Sequence, residues 1–87
     1  FYQTSKEQII TVFLTLEHVT GVLSNVLNEV ALLKGNILTI NQGIPLQNMA
    51  NVTLSIDTKD ISGDIEEFIQ KLQQVKGVRK VELVGQS

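Results

Sequence analysis

Ile10-Thr11-Val12-Phe13-Leu14-Thr15-Leu16 runs into Glu17-His18-Val19-Thr20-Gly21 and then into Val22-Leu23-Ser24-Asn25-Val26-Leu27-Asn28-Glu29-Val30-Ala31. The hydrophobic period changes along this stretch. Ile10, Val12, Leu14 and Leu16 alternate with Thr11, Phe13 and Thr15, the pattern of a half-buried strand. Leu23, Val26, Leu27, Val30 and Ala31 follow the i, i+3, i+4, i+7 spacing of one helix face. The stretch therefore predicts a strand over 7–16, a short turn, and a helix over 21–34. Thr20 is positioned to cap that helix, since a hydroxyl there accepts from an orphan backbone N–H. Lys34-Gly35 ends it: Gly takes the left-handed conformation and the cation suits the negative helix terminus.

The rest of the chain repeats this grammar. Asn36 to Gln42 reads as a second strand around Ile37, Leu38 and Ile40. Residues 43–49, with Gly43 and Pro45, read as a loop, because Pro has no N–H for a ladder. Asn51 to Thr58 alternates Val52, Leu54 and Ile56 with Thr53, Ser55 and Asp57, a third strand. Ile65, Phe68, Ile69, Leu72 and Val75 mark the buried stripe of a second helix over 62–75. Ser62 is its expected cap, Asp64, Glu66 and Glu67 favour its positive end, and Lys76-Gly77 closes it. Val78 to Val84 is the last strand, with Val81 and Leu83 on one face.

The order is β-α-β-β-α-β. Right-handed crossovers put both helices over the same face. The fold class is thus α+β: a ferredoxin-like two-layer sandwich, with a four-stranded antiparallel sheet and two helices on one side. The opposite face should carry Thr11, Phe13, Thr15, Thr39, Thr53 and Ser55. It is partly apolar and poor in charge, which suits contact with another chain and points to a homodimer; a solvated Thr-rich sheet face is the other reading. Residues 7–87 form one domain, and residues 1–6 read as a linker or frayed start. The chain opens with Phe1, as an excised piece would.

Composition narrows the function. Of 87 residues, seven are basic, nine acidic and none Cys, and the net charge is −2. Nucleic-acid binding needs clustered cations, whereas here only Arg79-Lys80 are adjacent. No apolar run of about 18 residues exists to span a membrane as a helix. Without Cys, and with His18 the only His, no metal is expected. No cofactor is expected either.

Leu16-Glu17-His18-Val19-Thr20-Gly21-Val22-Leu23, followed by Lys34-Gly35-Asn36-Ile37, resembles the ACT domain pattern. There a strand ends in an acidic or amide residue, then Arg-Pro-Gly-hydrophobic-Leu, and the next strand opens with Gly-x-Asn-Ile. Asn36-Ile37-Leu38-Thr39-Ile40-Asn41-Gln42-Gly43-Ile44-Pro45 and Asn51–Thr58 look like the bacterial PheB-type ACT-domain proteins, which carry a chorismate-mutase-related label. The resemblance covers nearly the whole chain after Lys6. It implies a cytoplasmic regulatory module of amino-acid metabolism, which dimerises and binds an amino acid at the subunit boundary; the PheB likeness suggests an aromatic one. It also implies the contacts: His18, Val19, Thr20, Gly21, Val22 and Leu23 from the loop of one subunit, with Asn36 and Ile37 from the other. The chain departs from the pattern in two places. His18 replaces the usual Asp or Asn, and Val19-Thr20 replaces Arg-Pro. Those departures favour the rival reading, a structural dimerisation domain without a ligand.

Each candidate also has a plain structural reading. His18 is an exposed loop residue or a ligand contact. Gly21 relaxes a turn or admits a ligand. Asn36 caps a strand start or reaches a ligand, and Asn41 and Gln42 are assigned to the hairpin. Glu66 and Glu67 are adjacent on a helix, so they do not face each other as a catalytic pair would. Ser24 has no base beside it. Mutase chemistry on a dicarboxylate would need converging cations, and Arg79 is the only Arg. No enzymatic activity is expected.

Overall fold

The computed structural model describes residues 8–18 and 20–86. The expectations for residues 1–6, for the strand start at Glu7 and for Val19 fall outside them. The elements are β1 (Ile9–Glu17), α1 (Val22–Leu32), β2 (Asn36–Gln42), β3 (Met49–Asp57), α2 (Ile65–Gln73) and β4 (Val78–Gln86). The sheet order is β2-β3-β1-β4, and every neighbouring pair is antiparallel. This is the βαββαβ sandwich that the hydrophobic periods predict.

One face of the sheet is sealed by the helices. Ile10, Val12, Leu14 and Leu16 of β1, with Val52, Leu54 and Ile56 of β3, are buried in one cluster with Val26 and Val30 of α1 and Phe68 and Leu72 of α2. Alternation then leaves Thr11, Phe13, Thr15, Thr53 and Ser55 half-buried on the other face, as expected. Within α1 the buried stripe is Val22, Val26 and Val30, while Leu23 and Leu27 are only partly buried and Ala31 is exposed. Val26 and Val30 of the predicted stripe are fully buried, and Val22 rather than Ala31 completes it, packed so close to Gly77 that a Cβ there would lie 2.7 Å from Val22 Cγ2.

The helix ends also correct the expectations. Gly21, not Thr20, is the N-cap of α1, and no side chain caps it. Asp64, not Ser62, caps α2: its Oδ1 accepts from the Glu67 N–H at 2.9 Å. At the end of α1 the left-handed residue is Lys34 (φ 71), not Gly35. The Lys34 N–H donates to Ala31 O at 3.0 Å and the Gly35 N–H to Val30 O at 2.9 Å, so both orphan carbonyls are satisfied. Gly35 is required for space instead. A Cβ there would lie 2.9 Å from Val30 Cγ1, 3.1 Å from Ile56 Cγ2 and 3.3 Å from Phe68 Cε1. Three elements meet at that one backbone position.

The β2–β3 connection, residues 43–48, is shorter than predicted, because β3 begins at Met49 rather than Asn51. Gln47 (φ 52) and Asn48 (φ 63) form a tight two-residue turn closed by the reciprocal Leu46–Met49 bonds, each 2.9 Å. The hairpin is fastened to the end of β1 by the His18 N–H, which donates to Asn48 O at 2.7 Å.

Candidate functional site

A cavity of about 190 Å³ opens where β1 hands over to α1, lined by β1, the β1–α1 turn, the start of α1 and the hairpin ends of β2 and β3. Of the predicted site residues, His18, Thr20, Gly21 and Leu23 line it. Val22 does not: it is turned into the core and is 7% exposed. Asn36 and Ile37 lie at the far end of β2, opposite Asp57 and Ile56. A single copy of the chain therefore does not bring the two predicted halves of the site together.

The turn is built by Gly21, whose φ of 97° and ψ of −13° are strained for other residues. A Cβ at Gly21 would meet nothing within 4 Å, so the residue is needed for its backbone alone. Its carbonyl receives the Asn25 N–H at 2.9 Å, the first bond of α1. The N–H groups of Val22, Leu23 and Ser24 thus have no partner inside the helix. With no acidic residue in the first turn, the cavity receives an uncompensated positive helix end. An anion or carboxylate suits such a position.

The charge around the cavity is sparse. Glu17 and His18 are the titratable residues among the described lining ones. The Glu17 carboxylate is taken up at 3.5 Å by Arg79 Nε on β4. Among the described residues, no group of His, Asp and Glu could hold a metal ion.

Five lining residues escaped the sequence candidates: Leu16, Glu17, Ser24, Gln42 and Ala50. Leu16 and Glu17 adjoin the quoted loop and were legible as its edge. Gln42 reads from the sequence as a hairpin residue. Ala50 left a fainter signal, as the small member of the row Ala50, Val52, Leu54, Ile56.

No protein-family model matches the chain. The chain is 53% identical over 87 residues to a UPF0735 ACT domain-containing protein of Desulforamulus reducens, and 55% identical over 87 residues to one of Carboxydothermus hydrogenoformans. All of the chain is matched, against 59% and 60% of those proteins, so it spans about three fifths of their length. Among solved structures it is similar to the ACT domain from GTP pyrophosphokinase of Chlorobium tepidum, with a TM-score of 0.71 at 18% identity, over 91% of this chain and 100% of that one. It is similar also to an ACT domain protein from Streptococcus pneumoniae, with a TM-score of 0.69 at 16% identity, over 90% of this chain and 91% of that one. The C-terminal domain of MgtC from Mycobacterium tuberculosis reaches 0.68 at 13% identity, over 99% of this chain and 94% of that one. The fold is thus shared beyond proteins named for ACT domains. The solved structures share the ferredoxin-like βαββαβ fold, and the sequence relatives are named for an ACT domain.

Proposed function

We propose that the chain is the regulatory ACT domain of a UPF0735-type protein in the cytoplasm, and that two copies pair to bind a free amino acid between them. The observation that carries the reading is the cavity under the uncapped N-terminus of α1, placed beside the uncovered edge of β2. On that edge strand Leu38 and Ile40 are each 46% exposed, an apolar pair with no cover in the single chain. An antiparallel pairing of β2 with β2 of a second copy, centred on Thr39, would set Leu38 against Ile40 twice over. The same register carries the Asn36–Ile37 end of one copy to the Gln42 end of the other, beside its cavity. The two halves of the site that one chain keeps apart meet in that arrangement.

The rival is a dimerisation domain that binds nothing. The His18-Val19-Thr20 departure favours it, since an imidazole stands where the pattern has the acid or amide that would hold an ammonium group. Catalysis has weaker support: the described lining residues include no Lys or Arg, and a dicarboxylate transition state needs converging cations. The PheB-type likeness suggests an aromatic ligand, whereas the aliphatic lining, Leu16, Leu23 and Ala50, favours a branched aliphatic one.

Calorimetric titration with the common amino acids, alongside light scattering on an eluting column, tests the reading. Heat of binding together with a dimer supports it. A dimer that gives no heat and no thermal shift at millimolar ligand leaves the structural rival, and a monomer without binding overturns both.

A further inference from the structure

The helix-facing rows of the sheet explain why a cavity lies at this end. On β3 the row reads Ala50, Val52, Leu54, Ile56, and on β2 it reads Ile37, Ile40, Gln42. Along most of the sheet large apolar side chains fill the space beneath the helices. At the hairpin end the row on β3 stops short at Ala50, opposite Leu16, and the row on β2 turns polar at Gln42, opposite Val52. Both residues line the cavity. The void therefore follows from one missing side chain, and its polarity on the β2 side from one carboxamide.

The same geometry divides the ends of a zwitterion. The free N–H groups of α1 suit a carboxylate. The ammonium group then needs an acceptor elsewhere, and the Glu17 carboxylate already shares its charge with Arg79 across an exposed 3.5 Å contact. On the β2 side of the cavity the acceptor is Gln42, whose side chain makes no hydrogen bond to another among the described residues. A carboxamide oxygen can accept from an ammonium group without bringing a charge.

We propose that Gln42 and Ala50 decide what this cavity accepts, an inference that rests on reading the site as an amino-acid pocket. Gln42 Oε1 takes the ligand's ammonium group, doing the work of the acid or amide missing at His18. Ala50 sets the room for the ligand's side chain. The apolar part of the lining is aliphatic, Leu16, Leu23 and Ala50, with no Phe, Tyr or Trp among the described lining residues. The ligand class is therefore a free aliphatic α-amino acid.

Valine, leucine, phenylalanine and isovalerate, which is valine's side chain and carboxylate without the ammonium group, are the probes for calorimetry on the 87-residue chain. Valine or leucine should bind more tightly than phenylalanine. Gln42→Leu should weaken valine ten- to a hundredfold, the range for a hydrogen bond to a charged group, and leave isovalerate within about twofold. Gln42→Glu should retain valine. Ala50→Val should cost leucine more than valine, and Ala50→Leu should exclude both. Gln42 is exposed, so its variants keep the fold even if filling the space at Ala50 disturbs packing. Should valine bind the parent chain with Gln42→Leu and Ala50→Val unchanged, or should Gln42→Leu weaken isovalerate as much as valine, the assignment fails while amino-acid sensing stands. Should no amino acid bind at all, the sensing reading fails and takes this inference with it.

Discussion

Replacing Gly35 by Ala adds one methyl group at the place where α1, β3 and α2 converge. The three atoms it would meet, at 2.9, 3.1 and 3.3 Å, belong to Val30, Ile56 and Phe68. Each of these side chains is at most 1% exposed, so none can swing into solvent to make room. Forcing a methyl group into a filled core costs about 1–3 kcal/mol. Ala in place of Gly returns about 0.4–1 kcal/mol by narrowing the unfolded ensemble, and the backbone at Gly35, where φ is not positive, adds no strain. The net loss is about 1–2 kcal/mol. For a domain of this size that lowers Tm by roughly 5–15 °C. In urea it moves the midpoint down by about 1 M with the slope unchanged. The cause can be isolated with Val30→Ala, which removes the atom in nearest contact. Gly35→Ala combined with Val30→Ala should lose less than the two single variants added together, by about 0.5 kcal/mol or more. A Tm for Gly35→Ala equal to or above the parent's would refute the packing argument, and strict additivity would assign the loss to some other contact.

Other substitutions probe the local geometry. Lys34→Gly should raise stability by about 1 kcal/mol, because a side chain in the left-handed region costs that much; calorimetric melting reads it directly, and a fall in Tm would contradict the φ of 71°. Asp64→Ala should cost about 1 kcal/mol by removing the acceptor for the Glu67 N–H, while Ser62→Ala should stay within about 0.5 kcal/mol; equal losses in denaturant melts would restore Ser62 as a cap. Thr58→Val should cost about 1 kcal/mol, since the buried hydroxyl donates to Gln8 O at 2.8 Å. Leu38→Lys should leave the fold intact and convert the proposed dimer to monomer by light scattering, because it places a charge on the apolar β2 edge.

Element type was legible because each stretch has one dominant period. Val12, Leu14 and Leu16 together could serve no single helix face, and Ile65, Phe68, Ile69 and Leu72 would fall on both faces of a strand. What escaped was decided by neighbours distant in sequence. In α1 the sequence marked Val26 and Val30, but that Val22 rather than Ala31 completes the buried stripe depends on close packing against Gly77. Gly35 has the local look of a left-handed helix end, yet Ile56 and Phe68 impose its lack of a side chain. The loop half of the site was read from sequence because it is contiguous: His18, Thr20, Gly21 and Leu23. Gln42 and Ala50 lie far along the chain and reach the cavity only through the registers of β2 with β3 and β3 with β1. Neither residue type announces a ligand contact by itself.

The β2 edge and the cavity share one end of one strand, so pairing and ligand binding form a single equilibrium in the proposed dimer. A ligand that bridges two copies binds the pair better than the single chain, and the coupling is reciprocal. Saturating valine should then tighten dimerisation, per site, by the same factor that dimerisation tightens valine. At about a hundred times its dissociation constant, a ligand adds about 2.7 kcal/mol per site, and two sites in the pair shift the monomer–dimer midpoint about ten-thousandfold. Leu38→Lys, which touches no described lining residue of the cavity, should weaken valine binding only by dissolving the pair, and raising the protein concentration should restore it. A cavity complete within one chain would bind valine equally well in the monomeric variant. That outcome would leave Gln42 and Ala50 in place as its determinants and remove Asn36 and Ile37 from the site.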